Sequence, residues 1–229
     1  MNVEDNIRQV RETMVEAARR SGRPAAAIRL MAVTKTVDDD RILAAIRTGV
    51  EIIGENYVQE AKRKIEKLGK TGEWHLIGRL QTNKAKYAVH LFDMIHSVDR
   101  LELAVELDRR ARAAGRVLPV LIEVNVSGEE SKSGVPLGAA LDLIRVVAPL
   151  ESLSVRGLMT MPPWSDDPEE SRPYFRALRD LRDKIAGAAV PRVEMRELSM
   201  GMTDDYAVAI EEGATIVRIG RGIFGERKG

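Results

Sequence analysis

IRLMAVTKTV, residues 28–37, sets an apolar, β-branched run against a lysine at its end. Such a run reads as a buried strand. An ammonium group costs heavily to bury unless it is paired or reacts, so Lys35 needs a reason to be there. Outward from this stretch the pattern recurs in VEIIG (50–54), EWHLIG (73–78), DMIHSV (93–98), VLPVLIEVNV (117–126), SVRGLMT (154–160), VEMRELSM (193–200) and TIVRIG (215–220). The segments between are charged and helical in period, as in RLELAVELDRRARAAG (100–115) and YFRALRDLRDKIAG (174–187). About eight β-then-α units predict an α/β protein with a single (β/α)8 TIM barrel over residues 1–229 and an extra N-terminal helix in segment 2–20. A doubly wound open sheet is the competing arrangement. The count of units and the polar and glycine residues clustered after the strands favour the barrel.

Helix signals agree with this order. Asp38 precedes one helical segment, and Asp167-Pro168-Glu169-Glu170 supplies a cap, a first-turn proline and first-turn acids for another. Gly49, Gly69, Gly115 and Gly187 are the expected stops.

Composition excludes several function classes. With 36 basic and 35 acidic side chains the formal charge is +1, too small a field to attract nucleic acid or anionic lipid. Cysteine is absent, which removes disulfides, thiolate metal sites and thiol nucleophiles and fits a reducing, cytoplasmic setting. Acidic residues at 4, 5 and 12 argue against a secretion or transit signal, and no apolar run approaches membrane-spanning length. The three histidines, His75, His90 and His96, lie on different elements and show no ligand pair, so no metal is expected; His75 and His96 read as strand residues with satisfied hydrogen bonds. Trp74 and Trp164 read as packing or lid residues, and PPWSDDPEE (162–170) as a loop able to cover the barrel mouth.

In a barrel the residues just past the carboxyl ends of the strands converge on one face. Those positions are Lys35, Glu55-Asn56, the stretch GRLQTNK, Ser97, Asn125, Thr160, Ser199 to Gly201 and Arg218 to Gly222. A desolvated Lys35 amine is a nucleophile toward aldehydes and ketones; the alternative is a strand-end lysine that snorkels to water. SMGM and IGRGIFG, after the last two strands, offer backbone amides for a phosphate, or are tight turns that need glycine. A dianion at Ser199 to Gly201 requires the carboxylates of Asp204 and Asp205 to turn away. Arg218 cannot escape burial by losing its proton and must meet a ligand or a wall carboxylate such as Glu55 or Glu123. GRGIFG (220–225) also fits the dinucleotide fingerprint, but only four residues follow it, too few for the required helix, strand and acid.

AVTKTV, IGENYVQE, WHLIGRLQTNKAK, HSVD, VNVSGEESKSG, GLMTM, LSMGMTDD and VRIGRGIFGER occur in order from about residue 28 to the end. Together they resemble the pyridoxal phosphate homeostasis protein family, whose barrel is similar to the N-terminal domain of alanine racemases, the type III fold of pyridoxal phosphate (PLP) proteins. The resemblance implies that Lys35 holds pyridoxal 5'-phosphate covalently as an internal aldimine, with Asn56 beside the ring. It further implies that Ser199, Met200, Gly201, Gly220 and Arg221 hold the phosphate and that Arg218 faces the pyridine nitrogen. A permanent cation there makes the ring a poorer electron sink. Alanine racemases add a base from a C-terminal β domain, for which a chain ending at Gly229 leaves no room. The expectation is therefore a cytoplasmic, monomeric, non-catalytic carrier in vitamin B6 homeostasis that meets apo-enzymes transiently, without nucleic acid or membrane. Lys132, in the glycine-bounded loop SGEESKSG, is a second amine that would assist exchange. A weak PLP-dependent amino-acid racemase and a Schiff-base aldolase acting on a sugar phosphate are the alternatives.

Overall fold

A computed structural model describes residues 2–129 and 131–226. Eight of its parallel strands close into a barrel: β1 (Arg29–Val33), β2 (Ile52–Glu55), β3 (Glu73–Leu76), β4 (Met94–Val98), β5 (Leu118–Asn125), β7 (Leu153–Met159), β8 (Val193–Ser199) and β9 (Ile216–Ile219). The short β6 (Val135–Pro136) pairs with the end of β5 outside the ring. Pairing of β1 with both β2 and β9, and of β4 with β5, completes the closure, so the open-sheet arrangement is set aside.

Period two along each strand divides the side chains between two cores. Met31, Ile52, Ile77 and Ile216, with Val33 against them, fill the barrel interior, and Met94, Leu121 and Met159 form a second interior group. The alternate residues, among them Leu30, Ala32, Ile53, Trp74, Ile95, Leu198 and Val217, face the surrounding helices. A glycine is required at 157, where a Cβ would come within 1.9 Å of the Glu197 carbonyl oxygen, so β7 and β8 approach closely there.

The leading helix α1 (Val3–Arg20) starts at Asn2, whose side chain accepts the Asp5 N–H at 2.8 Å, and buries Val3, Ile7, Val10, Met14 and Ala17 on one stripe. It packs on α2 (Asp39–Arg47), α8 (Tyr206–Glu211) and α9 (Arg221–Phe224). Because α9 has only four residues, α1 supplies the outer layer that a full helix after β9 would otherwise provide. Between these lie α3 (Val58–Leu68), α4 (Ala85–Leu91), α5 (Leu101–Ala113), α6 (Ala140–Val147) and α7 (Arg172–Gly187). Gly49, Gly69 and Gly115 take positive φ after helices as expected; Gly187 instead ends α7 from within, and Ala189 takes the positive φ. No helix among the described residues is long and apolar enough to cross a membrane.

Candidate functional site

All eight expected site residues stand on or just past four strands that are neighbours in the barrel, in the order β2, β1, β9, β8. Met31 and Val33 face the interior, and the same alternation aims Lys35, two residues on, at the mouth. Lys35 is half-buried. Asn56 extends the inward set of Ile52 and Gly54, and Gly78 packs against it so closely that a Cβ would lie 2.3 Å from the Asn56 carbonyl oxygen. Gly220 sits against Val33, where a Cβ would meet its carbonyl oxygen at 3.4 Å, which brings the turn after β9 beside the root of Lys35.

Backbone hydrogen bonds stitch these ends together. Thr34 N–H donates to Gly54 O at 3.0 Å, Arg218 N–H to Gly201 O at 3.0 Å, and Gly222 N–H to the Thr203 hydroxyl at 3.1 Å. Gly201 has φ +89°, and a Cβ there would fall 2.5 Å from that of Ala209, so this turn needs glycine on both counts. The two acids after it are both engaged: Asp204 pairs with Arg221, and Asp205 folds back on the turn to accept the Met202 N–H at 2.7 Å. Arg221 is thereby committed to Asp204 and, at 3.2 Å, to Glu226, which leaves its main chain rather than its guanidinium for the turn. Met200 points outward into the helix layer and its N–H donates to Ile216 O at 3.2 Å, so it shapes the turn without offering a donor to the mouth.

Arg218 is 3% exposed and inward-facing. Nη1 donates to the Ser199 carbonyl at 2.6 Å and to the Ser199 hydroxyl at 2.9 Å, and Nη2 donates to the Thr160 carbonyl at 2.8 Å. Of the five N–H donors of a guanidinium, these anchor three and leave Nε–H and one Nη2–H for other acceptors. Burial lowers Arg218 to about 10, with Asp205 and Glu123 opposing, so the cation persists at neutral pH. The wall carboxylates do not pair with it: Glu55 faces the helices, and Glu123 keeps Oε2 buried without a hydrogen bond. Burial, reinforced by Asp99, raises Glu123 to about 7.

Three of the strand-end positions lie elsewhere. Glu55 is outward and pairs with Lys64 of α3. Asn125 folds back on its own loop, accepting Gly128 N–H at 3.0 Å and donating to Glu129 O at 2.8 Å. Thr160 spends its hydroxyl on Val124 O at 2.8 Å, and only its carbonyl serves the site. Lys132 pairs with Glu129 at 3.3 Å, and Trp164 is 71% exposed on its loop.

Two features were not visible residue by residue. Lys64 is fully buried behind the Lys35 turn, with Nζ 2.5 Å from Thr34 O and 2.7 Å from carboxylate oxygens of both Glu55 and Glu60. Glu60 also accepts Thr36 N–H at 2.7 Å, and Thr36 holds φ +62°, a left-handed conformation costly for a β-branched residue. Its signal in the sequence is its spacing from Val58 and Ala61, which puts Lys64 on the buried stripe of α3. The second feature is a contact between His75 and His96, at 3.0 Å, on two strands adjacent in the barrel.

Comparisons with known proteins point to the same fold. A family model described as the alanine racemase N-terminal domain matches residues 2–228. The chain is similar, at 46% identity over 229 residues covering all of both chains, to the pyridoxal phosphate homeostasis protein of Aquifex aeolicus (strain VF5). It superposes on the structure of PipY of Synechococcus elongatus PCC7942 with PLP bound, at TM-score 0.85 and 32% identity over 98% of this chain and 100% of that one. An alanine racemase of Clostridium difficile 630 shares the fold at TM-score 0.75 and 14% identity, with all of this chain matching 57% of that one.

Proposed function

The chain belongs to the pyridoxal phosphate homeostasis protein family, whose barrel is that of the alanine racemase N-terminal domain, and from this premise we propose that it binds pyridoxal 5'-phosphate covalently on Lys35 and serves as a carrier in vitamin B6 homeostasis. The observation that carries the reading is the convergence of an amine, a buried cation and two glycine-bearing turns on four neighbouring strand ends.

The donor set fits the cofactor. Bound there, it supplies an aldehyde that condenses with a primary amine, forming a carbon–nitrogen double bond and releasing one water, and a ring able to store electrons. Lys35 offers the amine, delivered by strand alternation to the mouth. Arg218 offers its two remaining N–H groups to a ring nitrogen and, having no acceptor, keeps that nitrogen unprotonated. Asn56 lies at the adjoining strand end beside the ring position. Gly201, positioned by Met200, and the turn Gly220–Arg221 would offer main-chain amides for a phosphate, close to the chain because glycine permits it. Ser199 joins this set through its neighbours, since its hydroxyl is taken by Arg218.

A cation at the ring nitrogen weakens carbanion chemistry, which favours carriage over racemisation, and transient encounters with apo-enzymes at the mouth follow from a carrier role. We assign the chain as one domain, a monomer and cytoplasmic. Lys132, held by Glu129 in the loop after β5, is a candidate for cofactor exchange.

The purified protein mixed with PLP should turn yellow, and borohydride followed by peptide mapping should place the added mass on Lys35, with Lys35→Ala losing both. A well-folded, PLP-saturated sample that stays colourless and unmodified overturns the assignment. Turnover of a chiral amino acid that disappears in Lys35→Ala would replace the carrier with a racemase.

A further inference from the structure

A continuous row of hydrogen bonds runs through the barrel interior from Arg218 to the opposite end of the strands. Arg218 Nη1 donates to Ser199 Oγ at 2.9 Å, Ser199 Oγ lies 3.0 Å from His96 Nδ1, His96 Nε2 lies 3.0 Å from His75 Nδ1, and His75 Nε2 lies 3.1 Å from Glu73 Oε2. Both histidines and Ser199 are at most 1% exposed, whereas Glu73 reaches the surface and also receives Arg29 at 2.6 Å. Heavy-atom positions leave the direction of the three inner bonds undecided, but the two ends together with the buried Ser199 hydroxyl decide it. Arg218 can only donate. Glu73, held at about 2 by its hydrogen bond from His75 and by Arg29, can only accept at neutral pH. His75 must therefore carry a proton on Nε2. Were its Nδ1 protonated as well, the two inner bonds would reverse, and the fully buried Ser199 hydroxyl, receiving from both Arg218 and His96, would have no acceptor for its own proton among the described residues. With Nδ1 of His75 an acceptor, His96 donates from Nε2, its Nδ1 receives the Ser199 hydroxyl, and every bond points from Arg218 toward Glu73.

A charged ring would break this order, because an imidazolium has no acceptor nitrogen. The surroundings of His96 oppose charging it: burial holds the ring well below the ordinary histidine range, and the cations Arg218 on β9 and Arg29 on β1 add to this. Without His96, the Ser199 hydroxyl could rotate and the guanidinium would lose one of its three anchors.

We propose that His75 and His96 are positioning residues which, as neutral Nε2–H tautomers locked by Glu73, orient the Ser199 hydroxyl and thereby aim the two remaining Arg218 donors at the ligand's ring nitrogen. This rests on the PLP reading for the identity of the ligand, but the tautomers belong to the protein alone and are tested without it.

In ligand-free protein labelled with nitrogen-15, two-bond imidazole correlations should show both interior rings neutral and protonated on Nε2 across about pH 5.5 to 8.5, with the exposed ring of His90 as the comparison outside the row. A charged interior ring, or an Nδ1–H form of either, overturns the proposal. With PLP present, His96→Leu should shift the visible band and weaken cofactor retention roughly tenfold or more, and His96→Gln, which keeps a donor and an acceptor, should restore much of both. A folded His96→Leu with unaltered spectrum and retention also sinks it. Should that variant not fold, Glu73→Gln decides: it removes the anionic end near the surface, and should release His75 from its single tautomer, an unchanged tautomer counting against the lock. Wild-type protein that takes up no PLP refutes the carrier reading and leaves the imidazole result to stand or fall separately.

Discussion

Lys35 and Glu123 show how a single position on a strand acquires chemistry. Alternation carries Lys35 past Met31 and Val33 to the rim, where a half-buried amine stands between the barrel interior and water. The same alternation puts Glu123 in line with Leu121 inside the barrel, where a carboxylate has no counter-ion in contact and burial lifts it to about 7. The folded-state value lies above the ordinary 4.5, so between these limits the folded protein holds a proton that the unfolded chain has released. The stabilising contribution is full below about pH 4.5 and is lost as the pH rises through 7, by on the order of 3 kcal/mol. Glu123→Gln, neutral at every pH, should therefore raise the urea midpoint at pH 8 and leave it nearly unaltered at pH 4.5. An equal midpoint shift at both values would show that Glu123 has a partner in solution.

At the scale of the element, α3 does what no single residue announces. Its buried Lys64 ties the Thr34 carbonyl, while Glu60 from the same helix ties the Thr36 N–H, so the helix grips the chain on both sides of Lys35. Removing Lys64 leaves the Glu55 carboxylate buried and unpaired, and Lys64→Met should cost about 3–5 kcal/mol. The double variant Glu55→Leu with Lys64→Met should recover most of that stability yet still take up PLP poorly, since the grip on Thr34 is gone. Chemical denaturation and absorbance titration on the two variants separate the effects, and normal uptake by the double variant would show that the grip is dispensable. Lys64 was passed over in the sequence because a lysine in the charged run VQEAKRKIEKL reads as solvated face, although its spacing from Val58 and Ala61 marks the buried stripe. Lys35 and Arg218 were legible because each interrupts an apolar strand. His75 and His96 read correctly as satisfied histidines, but the row they form joins residues 21 and 103 positions apart, and only the closed barrel supplies that register. Glu55 was assigned to the mouth because counting strand ends gives the end of the barrel without the parity of the side chain, whereas Asn125 has the inward parity of Leu121 and Glu123 but spends its amide on its own loop.

For the whole molecule, closure of the ring is what brings eight scattered motif residues to one end of the barrel, and the last two strands lean on the segment furthest from them in sequence. The last strands are followed by only the six-residue α8 and the four-residue α9, which α1 backs from outside. Asn6 donates to the Ile223 carbonyl at 2.8 Å, and Arg23, just beyond α1, donates to the carbonyls of Ile210 and Ala214 at 2.8 and 2.9 Å. The turns proposed to hold the phosphate are thus braced by the N-terminal segment. Ile7 of α1 and Leu107 of α5 are both fully buried in the outer core. Either one replaced by Ala should lose about 2–5 kcal/mol. Leu107 supports the wall between β4 and β7, so Leu107→Ala should keep its affinity for PLP wherever it remains folded. Ile7→Ala should loosen α8 and α9 and release PLP more readily at the same stability. Thermal melts paired with cofactor titration at a temperature where both variants are folded distinguish the two, and matched PLP affinities would mean that α1 stabilises the barrel without shaping the site.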